Sequence, residues 1–302
     1  MRIKTIPIFR LVVFVLVATI SSVCISSGRY SGHAPGDSST FSYTENNMTV
    51  YQHIDYISGA NYVDGKDKLD VFMPNNQSNV PVLIFFHGGA LQGGDKSEQG
   101  FIATRFVSKG VGVVLANYRL SPMVMHPAHI LDAAAVFAWV KKNIEKYGGN
   151  AEAIYVSGHS AGGYLALLLS LDPSYLHVYG LELSDIQAVL AISPFVFVED
   201  VAKVRPKSVW GEDPNLWMKA SVTPYIGGDK PPILMIYADG DDDWRKEQNE
   251  VLKIRLQESG HQFVKTVEVS NRDHLSITRN INDSDDQTGG HMLDFMKKHS
   301  SK

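Results

Sequence analysis

The chain of 302 residues contains one cysteine, Cys24. That scarcity excludes an internal disulfide framework and every cysteine-based zinc module. Basic residues are not in excess: 28 Lys and Arg stand against 32 Asp and Glu, for a net charge of −4. With no Lys/Arg stripe either, the footprint of a nucleic-acid binder is missing. No apolar run reaches the roughly 20 residues of a membrane-spanning helix. Repeats and low-complexity tracts are absent too, since the 25 glycines and 13 prolines are scattered as punctuation. What is present, 44% hydrophobic and 20% charged residues, is the composition of a packed globular protein.

The first 27 residues differ from the rest. Arg2, Lys4 and Arg10 precede the apolar run Leu11–Val17, and the small residues Ser21, Ser22, Ser26 and Ser27 follow. A basic start, a short apolar centre and small residues make a secretory signal peptide, which predicts export to a periplasm or the exterior. The alternative is an N-terminal segment that stays as a membrane anchor. Removal of the leader would take Cys24 with it and exclude a thiol nucleophile. Residues 28–47, rich in Ser and Gly, are predicted to be a linker, and 48–302 a single domain.

Within that domain, β-rich Val50–Ile57 and Leu69–Met73 are followed by short, mostly apolar runs. These are Val82–Phe86, Val111–Ala116, Ala153–Val156, Val189–Ile192, Ile233–Tyr237 and Phe263–Val269. Strands apolar on both faces belong to a parallel sheet covered on both sides. Helical segments alternate with them: a face of Ile130, Ala134, Phe137 and Ile144, then Ala161–Leu171, Asp243–Ser259 and Met292–Lys298. The alternation predicts one doubly wound α/β domain. Phe195–Tyr225 breaks the rhythm and is predicted to be a small cap, with Phe195, Phe197 and Trp210 either lining an apolar pocket or packing the cap.

Gly158-His159-Ser160-Ala161-Gly162 lies between the strand ending at Val156 and a helix. In that context the glycines permit a tight turn that lifts the serine hydroxyl above the sheet edge, as a nucleophile requires. The Ala161 amide then sits at a helix N-terminus, where an anion is favoured. His87-Gly88-Gly89-Ala90 follows the apolar strand Val82–Phe86, and its Gly89 and Ala90 amides join Ala161 as candidate donors to a developing oxyanion. A serine placed this way is followed in the chain by its acid and then its histidine. His87 is therefore too early for the base and is assigned to bracing its loop. His274 fits, in a polar loop after the last strand, whereas His261 precedes that strand and His291 opens the final helix. The acid lies in Asp239-Gly240-Asp241-Asp242-Asp243, at the end of Ile233–Tyr237, where Asp241 and Asp243 both qualify. The run lacks the sixth-position glycine of a calcium loop, where Trp244 stands.

With these residues the chain resembles the esterase/lipase branch of the α/β-hydrolase fold, which includes hormone-sensitive-lipase-like, feruloyl-esterase-like and kynurenine-formamidase-like enzymes. The resemblance is carried by Leu69-Asp70-Val71, His87–Ala90, Asn117-Tyr118-Arg119-Leu120-Ser121-Pro122, Gly148-Gly149-Asn150, Gly158–Gly163, Pro231-Pro232 and His274. Ala90 stands where some members carry a third Gly and others an aromatic residue. The resemblance implies a mostly parallel sheet of roughly eight strands flanked by helices, with a small cap. Family spacing from Pro232 and to Gln248 favours Asp241, whereas the Gly-x-x-Asp form favours Asp243; Asp241 is preferred.

The expected function is hydrolysis of carboxylic esters through Ser160, His274 and Asp241, without cofactor or metal, on a small-molecule substrate. A formamidase-like amidase or a peptidase would use the same triad. A non-catalytic binding protein of the same fold would normally have lost a triad member or the oxyanion glycines. The oligomeric state has no signature in the sequence. Asn47-Met48-Thr49, Asn76-Gln77-Ser78 and Asn282-Asp283-Ser284 are glycosylation sequons where the host glycosylates.

Overall fold

A computed structural model describes residues 30–33, 41–60, 62–203 and 207–300. The predicted leader 1–27, with Cys24, lies outside the described residues. All eight predicted strands form, with ends shifted by a few residues. They are β3 (Met48–Asp55), β4 (Lys68–Pro74), β5 (Val80–Phe86), β6 (Gly112–Ala116), β7 (Gly149–His159), β8 (Ala188–Ile192), β9 (Ile233–Ala238) and β10 (Val264–Val269). Two more precede them, β1 (Tyr30–His33) and β2 (Phe41–Glu45), which corrects the linker expected over 28–47. Phe41-Ser42-Tyr43-Thr44 has strand propensity, and Asn46 and Asn47, with φ of 46° and 63°, make the two-residue turn that pairs β2 antiparallel with β3. Asn tolerates this left-handed geometry better than other side chains.

The ten strands run in the order β1-β2-β3-β4-β6-β5-β7-β8-β9-β10. Pairing is antiparallel from β1 to β4 and between β4 and β6. It is parallel from β6 across to β10. Alternate residues of the central strands feed two cores: Val82, Ile84 and Phe86 face one, Leu83 and Phe85 the other. This is why β5 reads as an unbroken apolar run.

The helices are α1 (Gly100–Val107), α2 (Ala128–Asn143), α3 (Ala161–Leu171), α4 (Ser174–His177), α5 (Val198–Val201), α6 (Lys207–Trp210), α7 (Pro214–Ala220), α8 (Asp243–Glu258), α9 (Ser276–Arg279) and α10 (Thr288–Lys298). Residues of α2, α3 and α8 fill the first core, those of α1 and α10 the second. The short helices α5 to α7 form the predicted cap region. Phe195 and Trp210 pack the cap. Phe195 stacks on Tyr164 at 4.5 Å, Trp210 meets both rings edge-on, and all three are buried in the first core. Phe197 instead borders a separate cleft with Trp244 and Arg255. Among the described residues no helix is long and apolar enough to cross a membrane.

The strand registers bring the chemistry together. Phe86 pairs with Gly158, His159 with Ile192, Ile192 with Ile236, and Ala238 with Val269. The loops after β5, β7, β8, β9 and β10 therefore leave the sheet at one level, on its carboxyl edge. That edge, where strand order reverses between β6 and β7, is where open α/β sheets bind ligands.

Candidate active site

Ser160 sits between β7 and α3 with φ 53° and ψ −113°, a conformation a non-glycine residue adopts only under constraint. Its amide donates to Ile192 O at 2.8 Å, and its carbonyl accepts the first helical bond, from Tyr164 N at 3.0 Å. The turn is tight because Gly162 lies against the end of β5. A Cβ there would fall 2.0 Å from the Phe86 carbonyl oxygen.

The Ser160 hydroxyl donates to His274 Nε2 at 3.0 Å, and His274 Nδ1 donates to Asp241 Oδ1 at 2.6 Å. The structure thus joins the three residues in one chain of hydrogen bonds. It separates the two acid candidates: the Asp241 side chain is fully buried, whereas that of Asp243 is fully exposed and pairs with Lys246. The other carboxylates of the run diverge. Asp242 takes the Trp244 indole N–H, and Asp239 accepts from the Asn271 and Arg272 amides, bracing the loop that carries His274.

Several partners of these three residues carry no motif of their own. Ser193, after β8 with φ 45°, donates to Asp241 Oδ2 at 2.5 Å, and the Ala238 amide donates to the same oxygen at 2.9 Å. Burial raises the Asp241 pKa, but the bonds from His274, Ser193 and Ala238 outweigh it and leave the carboxyl below its ordinary range. Buried Arg245 donates to Ser193 O at 2.8 Å and lies 3.5 Å from Asp241. Gln248 accepts from the Val196 and Phe197 amides and so ties α8 to the loop after β8. The only sequence signal among these was the spacing of Gln248 from Asp241.

His159 donates through Nε2 to the His274 carbonyl at 2.6 Å, and burial lowers its pKa to about 3. It is a neutral strut under His274. His87 braces its own loop as expected: Nδ1 donates to Gly88 O at 2.7 Å and the ring stacks on Tyr118 at 4.3 Å. Burial lowers its pKa to about 4 against the opposing effect of that hydrogen bond. Gly89 and Ala90 border the same cleft of about 430 Å³ as Ser160 and His274. Ala161 opens α3 directly after Ser160. Among the described residues no protein acceptor is found for the amides of Gly89, Ala90 and Ala161. These three amides are the candidate donors to an oxyanion formed at Ser160.

Residues 69–256 match the family described as BD-FAE. Esterase LipQ and esterase LipC of Mycobacterium tuberculosis are 31% and 30% identical to the chain over 65% and 63% of its length. The matches cover 50% and 53% of those proteins, so the chain spans about half the length of these relatives. A kynurenine formamidase of Danio rerio is 28% identical over 72% of the chain and 73% of its own length. Among solved structures, a truncated carbohydrate esterase from gut microbiota superposes with a TM-score of 0.72 at 22% identity, over 86% of this chain and 99% of that one. The fold is that of the α/β-hydrolases, as the sequence resemblance implied.

Proposed function

The chain belongs to the BD-FAE family, and on that premise we propose that it is a serine hydrolase of carboxylic esters. One observation carries this reading: the hydrogen-bonded series Ser160–His274–Asp241 ends in a cleft that Gly89 and Ala90 also line. Ser160 Oγ attacks the ester carbonyl carbon while its proton passes to His274 Nε2. The carbonyl oxygen becomes an oxyanion held by the amides of Gly89, Ala90 and Ala161, each worth roughly 3–4 kcal/mol in the transition state. Asp241 fixes the tautomer of His274 and stabilises its cation. The tetrahedral adduct collapses, the C–O bond to the alcohol breaks, and His274 returns the proton to the leaving oxygen. Water, deprotonated by His274, then cleaves the acyl-enzyme and restores Ser160.

Similarity to a formamidase supports a second substrate class, amides, on the same triad. Turnover of short acyl esters against matching anilides decides between them. Ester turnover that exceeds anilide turnover and vanishes in Ser160→Ala is expected. The reverse preference would transfer the assignment to amides, and no turnover of either would leave a binding protein. The basic, then apolar, then small-residue order of residues 1–27 supports export, with retention as an anchor the alternative. N-terminal sequencing of the protein from the producing cells distinguishes a cleaved leader from a retained one.

A further inference from the structure

The turn that presents the oxyanion amides is a strained one. Gly89, Ala90 and Leu91 are three successive residues with positive φ, at 115°, 57° and 62°. Two of them carry side chains, so the conformation persists only where its surroundings over-determine it. Those surroundings come largely from one segment, Asn117–Ser121, which follows β6. Tyr118 Oη donates to His87 O at 2.8 Å, at the start of the loop. The Ser121 amide donates to Leu91 O at 2.8 Å, at its middle. Asn117 Oδ1 accepts from Lys96 N at 2.7 Å and its Nδ2 donates to Asp95 Oδ2 at 2.8 Å, at its end.

A buried ion pair anchors that end. Lys96 Nζ lies 2.7 Å from Asp70 Oδ2, with both side chains at most 4% exposed, and Asp70 Oδ1 accepts from His53 N. Lys66 adds a bond to Gly94 O at 3.0 Å. Gly94 is seated directly against the turn: a Cβ on it would fall 2.5 Å from both Gly88 O and His87 Nδ1. A buried ion pair contributes little net stability compared with apolar residues of the same size, and its best-attested use is to fix register.

We propose that Asn117 and Tyr118, with the Lys96–Asp70 pair, are positioning residues that hold the 89–91 turn with its amides toward Ser160. The proposal rests on the hydrolase reading above. None of the four is among the residues that line the cleft at Ser160; Asn117, Tyr118 and Lys96 act on residues 87–96 directly, and Asp70 acts through the Lys96 ammonium.

The test compares Asn117→Ala, Tyr118→Phe and Lys96→Met with the unaltered full chain, using a short acyl ester and its thionoester analogue. Sulfur accepts hydrogen bonds weakly, so the ester-to-thionoester rate ratio reports the oxyanion donors. Displaced amides are expected to lower kcat on the order of 10²-fold in Asn117→Ala and Lys96→Met and about tenfold in Tyr118→Phe, with KM within about threefold. The rate ratio is expected to fall with kcat. A lowered melting temperature with kcat and the ratio unchanged would overturn the proposal and leave these residues a structural role. Should the first and third variants fail to fold, Tyr118→Phe, which removes one hydroxyl, decides by the same criteria. Ester turnover that survives Ser160→Ala, or is absent from the unaltered protein, would overturn the hydrolase reading and the brace with it.

Discussion

Replacing Asp241 by Asn keeps the shape of the side chain and removes one of its two acceptor faces. Its Oδ1 now takes the His274 Nδ1 proton, and its Oδ2 takes the Ser193 hydroxyl and the Ala238 amide. An asparagine cannot satisfy both sets. With its NH₂ toward Ser193, the buried Ala238 N–H faces another donor and loses its acceptor, at about 1–3 kcal/mol. With its NH₂ toward His274, the imidazole must move its proton to Nε2 and can no longer accept from Ser160. The second arrangement is expected to dominate, giving a kcat loss on the order of 10⁴-fold, about 5.5 kcal/mol in the barrier. Asp243→Asn removes only an exposed ion pair with Lys246, which is screened by solvent, and is expected to leave kcat within about threefold. Initial rates on a short-chain chromogenic ester, with thermal melting of each variant, make the comparison. An Asp241→Asn enzyme within tenfold of the original, or a larger loss in Asp243→Asn, would refute the reasoning.

His87, His129 and His159 are held neutral by burial, at about 4, 3 and 3. The unfolded chain takes up protons near pH 6.5 while the native state does not, so stability is full above pH 6.5 and falls between 6.5 and about 3 to 4. Each residue contributes about 3–5 kcal/mol to that loss, and denaturant midpoints that stay level from pH 7 to 4 would contradict it. Gly162→Ala forces a methyl group against the Phe86 carbonyl. Overpacking of at least about 1–3 kcal/mol is expected, with loss of ester turnover; a variant with unchanged melting and turnover would contradict the elbow packing. Arg119→Met removes the guanidinium held at 2.7 Å from the Asp132 carboxylate, which is 1% exposed, and leaves it the amide of residue 119 as donor. A stability loss of about 1–3 kcal/mol is expected. Chemical denaturation measures it, and an unchanged midpoint would contradict the role of the pair.

The sheet was legible because β5 to β9 bury both faces and so read as apolar runs. Helix α1 was not seen: Ile102, Ala103, Phe106 and Val107 make a helical face, but eight residues are fewer than a periodicity window of about 11–18 needs. Strands β1 and β2 sit at the open edge of the sheet, where polar residues are tolerated, and their Ser and Gly content suggested a linker. In the site, Ser160 and His274 were legible because strand, turn and chain order constrain them. The choice of Asp241 over Asp243 came from family spacing and has its physical ground only in three dimensions. It follows from where β9 ends relative to Ser193 and His274. The roles of Ser193, Arg245 and Asp239 were not legible because they act through contacts between segments 30 or more residues apart.

The central claim is that Ser160 is the nucleophile of this site. Treatment of the full chain with a fluorophosphonate, followed by intact mass and peptide mapping, tests it most directly. One covalent adduct per chain on the Ser160 peptide is expected, forming as ester turnover is lost and absent from Ser160→Ala. An adduct on another serine, or an active protein left unmodified at Ser160, would contradict the account.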